Sequence, residues 1–148
     1  MMRTTHLLFA AFIYLLLIKL NIISFSVLGL VIVLIATLIP DIDAETSKLG
    51  KKVKLISTAF KHRGFFHSLL FGILVAGIFY YANSSLYIEF TIGYIAHLFL
   101  DSLNYAGINL LWPLPTRSKG FIKTNGLTEK LLMLCFFIVN VLLILSLL

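Results

Sequence analysis

Charge is scarce in this 148-residue chain: 12% of its residues are charged, and only six are Asp or Glu. A soluble domain of this size needs far more polar surface to cover its core. With 60% hydrophobic residues and a mean hydropathy of +1.04, the composition therefore excludes that class. The expected protein is integral to a membrane, all-α, and a single domain over residues 1–148. Cysteine is nearly missing as well. The lone Cys135 rules out an intrachain disulfide, and its place in the run MLCFFIV reads as packing. Proline occurs only at 40, 113 and 115, where it interrupts helix rather than crossing an apolar run.

Long apolar runs are what the chain does have, at roughly 7–20, 22–39, 67–82, 86–104 and 128–148. Each comes near the length needed to cross a hydrocarbon core of about 30 Å at 1.5 Å per residue. The first is short, and Lys19 with Asn21 separates it from the second, so 7–39 reads as a tight helical hairpin with Lys19 snorkelling at the turn. A secretory signal is the competing reading, because Arg3 precedes an apolar stretch, but no small-residue cleavage site follows. The expectation is a polytopic bundle of about five transmembrane helices.

Five crossings place the N-terminus and the 40–66 and 105–127 loops on one side. Arg3, Lys48, Lys51, Lys52, Lys54, Lys61, Arg63, Arg117, Lys119, Lys123 and Lys130 lie there, against Lys19 alone on the other. Such an excess of Lys and Arg in short loops marks the cytoplasmic side. The N-terminus is accordingly expected inside and the C-terminus outside, in a bacterial inner or archaeal cell membrane. The net charge of +6 then faces the anionic headgroups of the inner leaflet.

His6, Asp41, Asp43, His67, His97 and Asp101 all sit at the ends of apolar runs, and the same alternation brings all six to that face. His97 and Asp101 are four residues apart on one predicted helix, so imidazole and carboxylate can grip one cation from adjacent turns. Either group is costly within a membrane segment without a partner. A mutual hydrogen bond near the interface is the plainer alternative. Pro40-Asp41-Ile42-Asp43 stops a helix and leaves two carboxylates at its C-terminal end, where the helix dipole disfavours negative charge unless a cation compensates. In Lys61-His62-Arg63-Gly64-Phe65-Phe66-His67-Ser68, His67 falls in the first turn of the third long helix, as a ligand candidate. His62 and Arg63 are candidates for holding an anionic group. Glu129 opens the last run and reads as a first-turn acid, an outer partner of the ligands or a base. Trp112-Pro113-Leu114-Pro115 makes the 105–127 loop an interfacial segment over the site.

Taken in order, His6-Leu-Leu, PDID, Leu49-Gly50, HRGFFHS, GYIAHLFLDSLNYAGINLLWPL and Glu129-Lys130 resemble the YdjM-like family of inner-membrane proteins, described as metal-dependent hydrolases. The resemblance runs over residues 6 to 130 and implies a metal and a hydrolytic reaction without naming a substrate. A more distant similarity is to the zinc-dependent phospholipase C and P1 nuclease group, which uses a zinc cluster on phosphoesters. Only one HxxxD occurs here, fewer ligands than that group repeats.

Mixed nitrogen and oxygen ligands suit Zn²⁺, or Mn²⁺ if carboxylates dominate, in one or two ions about 3.5–4 Å apart. Bound water, its pKa lowered to roughly 7, would be the nucleophile. Besides the bilayer, the expected partner is a phospholipid or other lipid-linked phosphoester at the cytoplasmic headgroup layer; no nucleic acid is expected. A metal-binding transporter or a noncatalytic membrane scaffold is the alternative. Transporter sites, however, favour the bilayer midplane and repeated halves, and the sequence has no convincing internal repeat.

Overall fold

A computed structural model describes residues 1–43, 64–82 and 86–147, without the side chain of Asp43. Those residues form five α-helices: α1 (Arg3–Lys19), α2 (Val27–Leu38), α3 (Leu69–Ala82), α4 (Leu86–Ser102) and α5 (Leu127–Leu147). Two short 3-10 turns, Pro40–Asp43 and Phe65–His67, follow α2 and precede α3.

Helix starts are set by capping, which hydropathy does not register. The second apolar run begins near residue 22, yet α2 begins at Val27 because the Ser26 hydroxyl accepts the Gly29 amide at 3.3 Å. The third expected start is corrected in the same way. Ser68 is extended, its hydroxyl accepts the Phe71 amide, and α3 starts at Leu69, so His67 lies in a 3-10 turn rather than in the helix. Cys135 is also corrected, since it lies on an exposed face of α5.

Helices consecutive in the chain alternate in direction. α4 sits at the centre, packed on α1, α2 and α3, while α5 lies along α1. Contacts between α2 and α4 keep a constant offset of 60 residues: Gly29 with Glu89, Val33 with Gly93, Thr37 with His97. The two helices therefore run parallel. α1 and α5 are parallel too, since Met2 meets Glu129 at one end and Lys19 donates to the Ser146 carbonyl at the other. The starts of α1, α3 and α5 and the ends of α2 and α4 thus share one end of the bundle.

Close approach of α2 to α4 depends on missing side chains. A Cβ at Gly93 would run into the Val33 carbonyl oxygen, and Ala36 and Ala96 continue the small surface. Between apolar helices in lipid, such van der Waals contact takes the place of the hydrophobic drive. Thr37 adds hydrogen bonds from its hydroxyl to the carbonyls of Val33 at 2.7 Å and Gly93 at 3.2 Å. The core on the α3 side is built of Phe90, Tyr94, Leu98 and Ile108, and on the α1 side of Ala10, Tyr14, Val33 and Ala96. Tyr14 closes the α1–α2 hairpin, its hydroxyl donating to the Ser26 carbonyl and accepting the Ser26 amide, both at 3.0 Å.

Among the described residues, α5 is the one helix long and apolar enough by length and composition to cross a membrane. α2 and α3 are apolar but have 12 and 14 residues. α1 and α4 reach 17 residues each and carry the polar groups of the site.

Candidate metal centre

At the shared end of the bundle, five of the six expected ligands converge. His6 comes from the first turns of α1, Asp41 from the turn after α2, His67 from the turn before α3, and His97 and Asp101 from the last turns of α4. Two sets, His6–His97–Asp101 and Asp41–His67–His97, each offer one ligand atom per residue, all within 4.8 Å of one another. The backbone of Asp43 belongs to the turn beside Asp41, and its side chain lies outside the described residues. His62 and Arg63 lie outside them as well.

The cluster is closed. His6, His67, His97 and Asp101 are almost fully buried, whereas the Asp41 side chain is 26% exposed. Asp101 lies between the others: Oδ1 is 3.3 Å from His6 Nε2, and Oδ2 is 3.6 Å from His97 Nε2 and 3.7 Å from His67 Nε2. Asp41 Oδ1 is 3.8 Å from His67 Nε2 and 3.9 Å from His97 Nε2. The rings of His6 and His97 stack, with centroids 4.1 Å apart and planes 12° from parallel.

One backbone atom fixes the chemistry of His97. Its Nδ1 lies 2.7 Å from the carbonyl oxygen of Thr37. A carbonyl can only accept, so Nδ1 carries a proton, and in the neutral tautomer that this selects Nε2 is left with a lone pair. That Nε2 is buried, has no hydrogen-bond partner, and has carboxylate oxygens of Asp101 and Asp41 at 3.6 Å and 3.9 Å. Acceptors facing acceptors repel unless a cation lies between them. A backbone carbonyl fixing the far nitrogen of an imidazole is also the usual outer support of a metal-binding histidine.

Spacing gives a second test of fit. Two donors 2.0–2.1 Å from one tetrahedral ion are about 3.3–3.4 Å apart. The His6–Asp101 separation of 3.3 Å meets this, and the 3.6–3.9 Å separations need only a few tenths of contraction. The residues fit a divalent cation. Electrostatics point the same way, because Asp41 follows the C-terminal end of α2 and Asp101 lies in the last turn of α4, so both helix dipoles add negative potential. Burial pushes the Asp41 carboxyl up, but the neighbouring imidazoles of His67, His97 and His6, in their protonated form, outweigh it and hold the group down to about 2. Asp101 also accepts from the amino group of Met1 at 3.0 Å.

Glu129 stands apart from these ligand sets. Fully buried in the first turn of α5, it accepts the Met2 amide on Oε1 and the Asn125 amide on Oε2, both at 2.6 Å. Its carboxylate thereby ties the chain entering α1, four residues before His6, to the start of α5. Two further residues serve the site without a sequence signal of the usual kind. Thr37 acts through its main-chain oxygen, which is independent of side-chain type. Asn104, 1% exposed and three residues beyond Asp101, donates to Thr124 Oγ1 and accepts the Ala106 amide on its side chain, and its carbonyl accepts the amides of Gly107 and Gly120. An Asn just past a helix end was the only available hint.

The chain is similar to the uncharacterized protein YvsG of Bacillus subtilis (strain 168), 36% identical over 107 residues that cover 67% of each chain. It is also similar to the inner membrane protein YdjM of Escherichia coli (strain K12) and of Shigella flexneri. Each is 37% identical over 91 residues, covering 54% of this chain and 46% of the relative. The match thus spans about half the length of those two relatives. No solved structure matches the chain. The family model for the YdjM inner membrane protein matches residues 1–147, and the chain belongs to that family.

Proposed function

We propose that this protein is a membrane-embedded, metal-dependent hydrolase acting on a phosphoester at the cytoplasmic headgroup layer. The observation that carries the reading is the buried His97 Nε2, without a hydrogen-bond partner 3.6 Å and 3.9 Å from the oxygens of Asp101 and Asp41, on a ring whose Nδ1 is held by the Thr37 carbonyl.

His6, His97 and Asp101, and Asp41, His67 and His97, are the groups that would hold one or two divalent ions. A divalent ion there supplies water activated at neutral pH and positive charge against a phosphoryl oxygen. Zn²⁺ suits the three imidazoles, and Mn²⁺ the carboxylates. The chain's own residues do the rest. α2 and α4 hold His97 in register, α1 and the turn before α3 bring His6 and His67 beside it, the buried face excludes water, and the part-exposed Asp41 marks the side open to a substrate. His62 and Arg63, the two residues before Gly64 in the sequence, would hold the remaining phosphate charge, and Glu129 keeps the entry to α1 in place.

The helices are read as five crossings, the N-terminus inside, which puts eleven of the twelve basic residues on the side of the cluster. A substrate reached at that depth is a phospholipid or a lipid-linked phosphate. The test is metal content of the purified chain, followed by cleavage of phosphodiesters and phospholipids with His97→Ala and Asp101→Ala as controls. One or two equivalents of zinc or manganese, and cleavage lost in both variants, are expected. A folded protein that binds no divalent metal would overturn the reading, and metal-dependent ion flux without hydrolysis would replace the enzyme with a transporter.

A further inference from the structure

The segment between α4 and α5, residues 103–126, contains no helix, yet it is ordered by hydrogen bonds throughout. Tyr105 N bonds to Ile122 O, Ile108 and Ser118 exchange both their amides, and Ile122 N bonds to Leu103 O, each at 2.9 Å. Asn104 gathers the inner side of this fold, and the amide of Leu69 fastens it to α3 through the Leu110 carbonyl at 2.9 Å. Ile108 and Ile122 point inward and are buried.

Its outward side chains are of two kinds. Tyr105, Leu114 and Phe121 are 75%, 57% and 78% exposed. Interleaved with them are Arg117, Lys119 and Lys123, all exposed, and residues 102–128 include no acid at all. Apolar tips fixed on a hydrogen-bonded frame are costly in water unless something covers them. Uniform positive charge among them selects a covering that is both anionic and apolar beneath.

We propose that this platform binds the anionic headgroup layer of the bilayer. Arg117, Lys119 and Lys123 meet lipid phosphates, and Tyr105, Leu114 and Phe121 enter among the upper chain segments. The platform starts directly after Asp101, at the same end as the His/Asp cluster, and such a surface attracts acidic lipid over the zwitterionic kind. The inference stands on the platform alone and does not depend on a metal or on hydrolysis.

The chain supplies its own probe, because its single tryptophan, Trp112, belongs to this platform and packs edge-on against Phe65 with ring centroids 5.0 Å apart. The full-length protein is reconstituted in vesicles carrying a matched mole fraction of brominated lipid. The bromine is placed on phosphatidylglycerol diluted in phosphatidylcholine, or the reverse, and Trp112 fluorescence is read. Brominated phosphatidylglycerol is expected to quench several-fold more strongly than brominated phosphatidylcholine, and the ratio should fall toward one as salt is raised. The triple variant Arg117→Gln, Lys119→Gln, Lys123→Gln should abolish the ratio, while Phe121→Ser should weaken quenching by both lipids alike. Equal quenching in the wild-type chain, or a ratio that survives both high salt and the triple variant, overturns the proposal in favour of an acidic soluble partner or none.

Discussion

α4 and α5 are both apolar helices, and they solve opposite problems. α4 carries Glu89, His97 and Asp101 across the bundle, with Gly93 between them at the same four-residue spacing, and eight of its 17 residues are buried. α5 has 21 residues, an 18-residue stretch of which has a mean hydropathy of 2.5, yet of the 21 only Glu129 and Asn140 are buried. In α4, polar residues are tolerated because other helices surround them; in α5, apolar residues on the side away from α1 face outward because, among the described residues, no other helix covers them. An exposed apolar face is a cost in water and ordinary solvation in lipid, and polar groups on α4 are acceptable only where partners await them. Hydropathy therefore ranks α5 the clearest membrane helix, while packing makes α4 the one on which the site depends.

The contrast can be broken most sharply at α4. His97→Ala and Asp101→Ala should each lower zinc affinity by at least about 100-fold in equilibrium dialysis, since each belongs to a proposed ligand set; Leu142→Ala on α5 should leave affinity unchanged. Retained zinc binding in either α4 variant would erase the distinction. Next in size, Gly93→Ala pushes α2 from α4 and should cost about 1–3 kcal/mol of stability, measured as a lower midpoint in detergent denaturation. Because the displaced Thr37 carbonyl no longer orients His97, zinc affinity should fall as well.

Glu129 sharpens the comparison from the other helix, as a buried acid on a largely uncovered element. Glu129→Gln leaves one backbone amide facing an amide nitrogen and should cost on the order of 1–3 kcal/mol. The matching substitution at an exposed site, Cys135→Ser, should change the midpoint by less than about 0.5 kcal/mol. Acidity gives the mildest readout. Imidazole ligands must be free of protons to bind, so bound zinc should be released progressively as pH falls below about 6. Release that needs only chelator and ignores pH would argue for carboxylates alone.

Much of this architecture was legible in the order of residues. The ends of apolar runs disclosed which polar groups share a bundle end, because alternating helices return to the same end at every second turn of the chain. His97 and Asp101 were legible as a pair because a helix places residues four apart on one face. Boundaries were less so: capped by Ser26 and Ser68, α2 starts five residues and α3 two residues into the runs that hydropathy alone marks. The orienting of His97 was hidden altogether, since any residue at 37 supplies a carbonyl, and only the fold decides which carbonyl lies beside which ring. Likewise the two amides on Glu129 belong to main chain 127 and four residues away, contacts that side-chain spacing cannot forecast.

The constant step of 60 between α2 and α4 makes the site a matter of counting. Inserting or deleting one residue between Gly93 and His97 would swing the imidazole about 100° around its axis and slide it about 1.5 Å, away from its carbonyl and its neighbouring acids at once. Length changes in this protein should be borne by loops, and the stretch from Val33 to Thr37 and its counterpart from Gly93 to His97 should tolerate substitutions long before they tolerate a gap.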